Sequence, residues 1–355
     1  MVNLILFIIP LSLIFSLPSY AIEQNSNCIN CHVNPTGGLM RNDYGSNIYS
    51  LDELSIRKWI TEDKKFDGFI SDNIQIGGEF RIQSYKGRKS TSIFPMQIDL
   101  YSNVDFDNNI SLFLKYGAKQ ELYLLLDDYN NVDWIKIGKT IPDYGLKLDD
   151  HTSFIRGGNS SNTFVYSGSI DQGLIFDYAA EYDDPILIEM GLKINKNISL
   201  TSSISNGIVN DNENNITISI KSKSSSIYGN LLFGSSLMKE KDFKMLGIFG
   251  GFAKNKLTLS FEFDKAYNWI ENFKSMATYM ELIYKPIQGV HLTAKYDYFD
   301  KDISVLDGST ERYSFGVNFF PINMLELKFQ IREYELFSID TNINTEYLVQ
   351  LHTWF

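Results

Sequence analysis

The chain has 355 residues, with 32 Lys plus Arg against 43 Asp plus Glu, a formal charge of −11. An acid excess of this size argues against nucleic acid as a partner and favours cationic solutes or partners. Tyr and Phe are abundant and Pro is scarce, as in an all-β chain, and two cysteines three residues apart exclude a disulfide framework.

Residues 1–21 read as a secretory signal peptide. A short head leads into the apolar run Leu4 to Leu17, and Ser19-Tyr20-Ala21 supplies small residues for cleavage. The head lacks Lys or Arg. The competing reading, a membrane anchor, is weakened because the run is short and broken by Pro10 and Pro18. No later stretch approaches the ~20 continuous apolar residues of a membrane helix. If the chain crosses a membrane it must do so as a closed barrel, the other structure that satisfies its backbone in lipid.

Residues 22–71 form a second zone. Cys28-Ile29-Asn30-Cys31-His32 is a CxxCH motif, in which two thiols add across the vinyl groups of one haem and the adjacent imidazole takes the iron as proximal ligand. Zinc would need a second ligand pair, and a thioredoxin-like dithiol would need a βαβ context. Met40, on the Thr36-Gly37-Gly38-Leu39 segment, is the first candidate for the sixth ligand, and His151 is the alternative; an open or water-ligated iron is a third. His291 and His352 have lumen parity at the entrance that an N-terminal plug would occupy. Ser50 and Glu53 suggest a capping box, with a helix running to about Asp63 through Leu54, Trp59 and Ile60. At ~50 residues this zone is too small for a good core of its own, so it needs a cofactor, a larger host, or both.

From 72 to 355 the hydrophobic period is two. Leu325, Leu327, Phe329 and Ile331 alternate with Glu326, Lys328, Gln330 and Arg332, and the stretches Tyr313–Phe319 and Leu257–Asp264 repeat the pattern. Charges on one face and aromatics on the other, strand after strand, predict a transmembrane antiparallel barrel with a wet lumen rather than a soluble sandwich. Short turns at residues 106–109, 129–131, 195–197, near Ser224, 254–256, 286–289 and 321–323 alternate with longer links, among them 86–91, 205–215, 238–242, 268–274, 299–309 and 338–344. Threading strands through them gives about sixteen, with both ends in the periplasm. The link 139–183 is long enough to be folded in; its Asp149 and Asp150, with Asp143 and His151, suit the approach of a divalent cation such as ferrous iron, or simply a solvated acidic loop. The last strand alternates through Tyr347, Val349 and Leu351, and the sequence ends on Phe355, similar to the insertion signal of bacterial outer-membrane barrels.

With Cys28, Cys31, His32 and Pro35 ahead of a barrel, the chain resembles the fused monohaem cytochrome–porins of iron-oxidising bacteria. The lead-in Glu23-Gln24-Asn25-Ser26-Asn27 departs from that family's pattern. The resemblance implies one covalent haem c in an outer-membrane protein exported through the periplasm. It would carry electrons between an extracellular donor, ferrous iron or another, and a periplasmic c-type cytochrome. The alternative is a diffusion porin whose haem segment is a periplasmic sensor or docking tag; a haem-binding surface protein without a redox partner is a third reading.

Overall fold

The computed structural model describes residues 18–56, 68–87, 91–107, 109–117, 120–129, 132–148, 150, 152–156, 185–207, 213–268, 272–306, 308–336 and 344–355. After a short lead strand β1 (Phe69–Ser71) come β2 (Ile74–Lys86), β3 (Thr91–Asp107), β4 (Ile110–Tyr116), β5 (Glu121–Tyr129), β6 (Val132–Lys139), β7 (Ile186–Asn195), β8 (Ile198–Asn206) and β9 (Asn214–Ser226). The second half contains β10 (Gly229–Glu240), β11 (Phe243–Lys254), β12 (Leu257–Tyr267), β13 (Lys274–Ile287), β14 (Val290–Asp300), β15 (Ser309–Ile322), β16 (Leu325–Leu336) and β17 (Asn344–Trp354). Each of β2 to β17 pairs antiparallel with its sequence neighbour, and β17 returns to β2 with Leu351 opposite Ile82 and Trp354 opposite Glu79. These sixteen strands close a barrel with no free edge, which satisfies the backbone of a lipid-exposed sheet.

The predicted faces are the observed ones. On β16, Phe329 and Ile331 are exposed on the outer wall, while Glu326, Gln330 and Arg332 are buried in the lumen. On β17, Tyr347, Val349 and Leu351 face out, and Gln350, His352 and Trp354 face in. An apolar outer wall around a polar, ion-paired lumen is the form in which proteins cross the bacterial outer membrane. This chain is such a barrel.

Two turns differ from expectation. The reversal placed near Ser224 falls at Ile227–Tyr228, because Lys221 and Lys223 keep inward parity and β9 continues to Ser226. The link expected over 238–242 shrinks to Lys241 and Asp242, with Lys241 at φ 46°. Met238 is instead buried in the lumen against Phe243 and Met245.

Described residues enter the lumen from both ends. At the mouth bearing the short turns, helix α1 (Pro18–Glu23), which spans the expected cleavage point after Ala21, packs on β10, β11 and β12, and its residue Ile22, on the mature side, is buried there. A wide, π-type helix, Tyr44–Leu54, follows. It replaces the expected helix from Ser50: Ser50 and Glu53 lie in its last turns, and residues 57–67 are outside the described set. The helix starts about two turns earlier than the Ser50 pattern suggested: its N-cap residue Asp43 makes no side-chain capping bond, and the side-chain oxygen of the preceding Asn42 accepts the Gly45 N–H at 3.0 Å. The zone that was too small for its own core borrows one: Tyr49 and Leu54 cluster with Phe320 and Trp354 of the wall.

From the other side, the described residues of the long link, 140–148, 150 and 152–156, fold into the lumen. A loop buried this way must find acceptors for its N–H groups, and wall carboxylates supply them. Asp143 N–H donates to Glu189 at 2.9 Å, Leu146 N–H to Glu262 at 2.6 Å and Phe154 N–H to Asp297 at 3.1 Å. Phe154 and Ile155 are fully buried among Tyr279, Phe299 and Tyr334.

Candidate haem site

The CxxCH motif forms one tight helical turn. The Cys31 and His32 N–H groups both donate to the Cys28 carbonyl, at 3.1 and 3.0 Å, which brings the second cysteine and the histidine over the first. The chain then doubles back as a small hairpin. Val33 N–H donates to the Met40 carbonyl, Asn42 N–H donates to the Cys31 carbonyl, and His32 pairs with Arg41. Gly37, at φ +91°, makes the reversal possible, and a Cβ there would lie 3.0 Å from the Cys28 sulfur. The Asn42 amide donates to the Ile29 and Asn30 carbonyls at 2.9 and 3.2 Å, fastening the motif to the start of the helix.

Cys28, Cys31 and His32 face a cavity of about 430 Å³ between the N-terminal plug and the folded-in loop. That size is within the range of cofactor sites, and Leu39, Tyr101, Trp134 and Phe249 give it the apolar, aromatic wall a porphyrin needs. Lys221 and Lys223, inward on β9, also line it; Lys221 is paired with Asp143 of the folded-in loop at 2.7 Å, and Lys223 suits a carboxylate of such a group. Both thiols are free. Burial pushes the Cys28 thiol up, partly opposed by Lys221; burial and the neighbouring Cys28 push Cys31 up, partly opposed by Arg41. The residues present therefore fit one covalently held haem.

The remaining predicted residues are placed as follows. Met40 is buried on the wall with Tyr101, Phe113, Tyr123, Leu125 and Trp134. Its neighbour Arg41 is the residue paired with His32, so the Met40 side chain leaves the hairpin on the opposite face. In this position Met40 packs in the wall. His151 and Asp149 lie outside the described residues. Asp150 is buried and bonded to Lys295 at 2.9 Å, with Arg332 at 3.9 Å, so its charge is neutralised within the lumen and it serves to hold the loop. Burial raises its pKa, but the fields of Lys295 and Arg332 outweigh this and hold the carboxyl well below the usual range. His291 packs against Tyr20 and Phe320; His352 lies between Glu79 and Glu326, at 2.7 and 2.9 Å. Both are at the plugged entrance, as their parity implied.

Sequence reasoning missed Trp134, Lys221, Lys223 and Asn42. The period-two alternation assigns the first three to the lumen, so the signal was present; their nearness to Cys28 depends on the plug's seat, which no periodicity shows.

No protein-family profile and no curated protein matches the sequence. Among solved structures the chain is similar to OmpT, an outer-membrane protein of Vibrio cholerae (11% identity, TM-score 0.55, covering 79% of this chain and 99% of that one). It is also similar to an anion-selective porin from Comamonas acidovorans (9%, 0.55, 79% and 99%) and to OprB of Pseudomonas putida (6%, 0.55, 80% and 93%). At these identities the likeness is one of fold: a porin-like outer-membrane barrel.

Proposed function

We propose that this porin-like barrel is an outer-membrane monohaem cytochrome, with Cys28 and Cys31 as the covalent anchors and His32 as the proximal ligand. The observation that carries this is a CxxCH turn facing an aromatic-walled cavity inside a lumen that described residues enter from both ends. A haem bound there supplies one-electron chemistry; the chain holds it, dries it and insulates it. Electrons would pass between an extracellular donor, with ferrous-iron oxidation one candidate activity, and a periplasmic c-type cytochrome. The test is covalent attachment. Expressed with the haem-attachment machinery, the wild type should stain for haem peroxidase on a denaturing gel, because thioether bonds survive denaturation. Cys28→Ala or Cys31→Ala should weaken the stain and the double change should abolish it. An unstained wild-type band ends the cytochrome reading.

The second reading, a diffusion porin with a haem-bearing sensor or docking segment, is favoured by the fold likeness to porins. Ion flow separates the two. A porin conducts in a planar bilayer, whereas the filled lumen of a sleeve does not.

A further inference from the structure

The cavity that Cys28, Cys31 and His32 face is lined on the loop side by residues 143–148. With His32 on one face of a haem iron, the other face takes its ligand from whatever donor atoms this lining offers. Among the described residues that line the cavity, His32 is the one imidazole and no methionine occurs. An Arg guanidinium stays protonated, so the strong nitrogen donors left are lysine amines.

Of the six described lysines on the lining, four are committed elsewhere. Lys115 lies 3.5 and 3.6 Å from Asp99 and Glu121, Lys193 pairs with Asp133 at 3.0 Å, Lys221 pairs with Asp143 at 2.7 Å, and Lys223 donates to the Asn25 carbonyl at 3.3 Å. Lys196 is exposed on the β7–β8 turn. Lys147 differs from all of them. It is on the folded-in loop, partly buried, and makes no hydrogen bond or ion pair with any described residue.

The surroundings of Lys147 explain why it stays unpaired. The carboxylates whose fields reach it are Asp143, Glu189 and Glu121, and each already has a cation: Lys221, Lys136 at 2.9 Å, and Lys115. Its backbone is fixed on both sides, by Gly145 N–H on Ser236 at 3.0 Å, by Leu146 N–H on Glu262, and by Asp150 on Lys295. A lysine held this way is a preorganised donor. Burial, and after it the charge of Lys136, lower its pKa against the pull of Asp143, Glu189 and Glu121, which favours the neutral amine that iron requires.

We propose that Lys147 is the distal ligand of the haem iron, its amine meeting the face opposite His32. The loop segment that enters the lumen would then also cap the iron. The inference rests on the haem-bearing reading above, and it concerns ligation, so it can fail by itself. The competing role for Lys147 is a cation paired with a haem carboxylate, and the two differ in what an arginine can replace: a guanidinium pairs with a carboxylate but does not ligate iron.

The experiment uses the full chain in detergent, with folding checked by heat-modifiable gel migration and haem attachment by staining. Absorbance and electron paramagnetic resonance of the ferric protein read the ligands at neutral pH. Wild type should be low-spin and six-coordinate. Lys147→Arg should lose the low-spin signals and become high-spin. Lys147→Met should gain a sulfur-to-iron charge-transfer band and a higher reduction potential, because a thioether raises it. A stained, folded wild type that is high-spin, or a Lys147→Arg chain with the wild-type low-spin spectrum, would overturn the assignment and leave the cytochrome reading standing. Should arginine prevent folding, Lys147→Met decides, since an unchanged spectrum without the sulfur band overturns the assignment equally. An unstained wild-type band overturns the cytochrome reading and the ligand with it.

Discussion

Arg312 holds the folded-in loop to the barrel wall, and its removal should open the lumen. The guanidinium is buried and donates to Asp297 through Nε at 3.1 Å and Nη2 at 2.7 Å, and through Nη2 to the Thr152 carbonyl at 2.7 Å. It also stacks on Phe154, 4.5 Å from the ring centre. Arg312→Ala leaves the Asp297 carboxylate fully buried with only Ser153 and Phe154 N–H bonding its other oxygen. Breaking a buried pair from one side costs about 3–5 kcal/mol. The lumen can relieve that cost by releasing the loop and admitting water to Asp297, at the expense of exposing Phe154 and Ile155, about 1.5–3 kcal/mol each. The two terms are of similar size, so the open population should rise by roughly two orders of magnitude or more from its wild-type value. Single-channel recording in a planar bilayer reads this directly. Wild type should be closed or nearly so, and Arg312→Ala should show long-lived openings; Arg312→Lys, which keeps the charge, should lie between. A variant as silent as wild type, with its barrel intact, would refute the claim that this pair closes the lumen.

Three further outcomes are expected. Phe329→Arg should impair assembly, by about 2–4 kcal/mol near the bilayer midplane, while the neighbouring lumen change Lys328→Gln is tolerated; equal yields of heat-modifiable barrel would put the faces in error. Gly145→Ala should raise conductance, because Gly145 is at φ +57° and a Cβ would lie 2.0 Å from the Glu262 carboxylate that accepts Leu146 N–H. Asp150, whose carboxyl is held low, stabilises the closed loop at any pH above the ordinary carboxylate pKa of about 3.9. That contribution is lost as pH falls through its depressed folded value, so conductance should stay flat from neutral pH to about 4 and rise below it; Asp150→Asn should remove the contribution at every pH, and a transition near pH 6 would point to another group.

The barrel was legible because it depends on a local rule. Alternation along Leu325–Arg332 assigns each side chain to lipid or lumen without knowledge of any other strand, and sixteen such strands leave one closed arrangement. The Cys28–His32 turn stands out in the sequence for a different reason, since CxxCH is a spacing that a covalently bound haem would require of any fold. What the sequence concealed depends on long-range seating. Ser50 and Glu53 look like a cap in isolation, yet the helix already begins at Tyr44, where the Asn42 side chain bonds the Gly45 N–H and the Ile29 and Asn30 carbonyls. Met40 looks like a free ligand on a glycine segment, yet the hairpin from His32 to Arg41 turns it into the aromatic wall. Asp150 looks like an exposed acid, yet Lys295, 145 residues away, neutralises it.

The two closures also bear on how a donor outside the cell would reach a haem. Ions need a continuous wet path, and the described part of the loop lies in the lumen, with backbone N–H groups of Asp143, Leu146 and Phe154 bonded to Glu189, Glu262 and Asp297. A single electron needs only closeness between donor and acceptor across packed atoms. A loop that stopped solutes would therefore not have to stop electrons, and Leu146 and Leu148, which line the cavity that Cys28 faces, belong to it. Conductance and haem reduction should then respond in opposite ways to loosening the loop. Arg312→Ala should raise the first, while it slows or leaves unchanged the reduction of the haem by an external one-electron donor in intact cells, because water entering the lumen lengthens the packed path rather than shortening it. If the variant instead gains conductance and reduction in parallel, the donor reaches the haem by diffusing through an open lumen, and the insulating-sleeve description fails in favour of a porin that carries a haem.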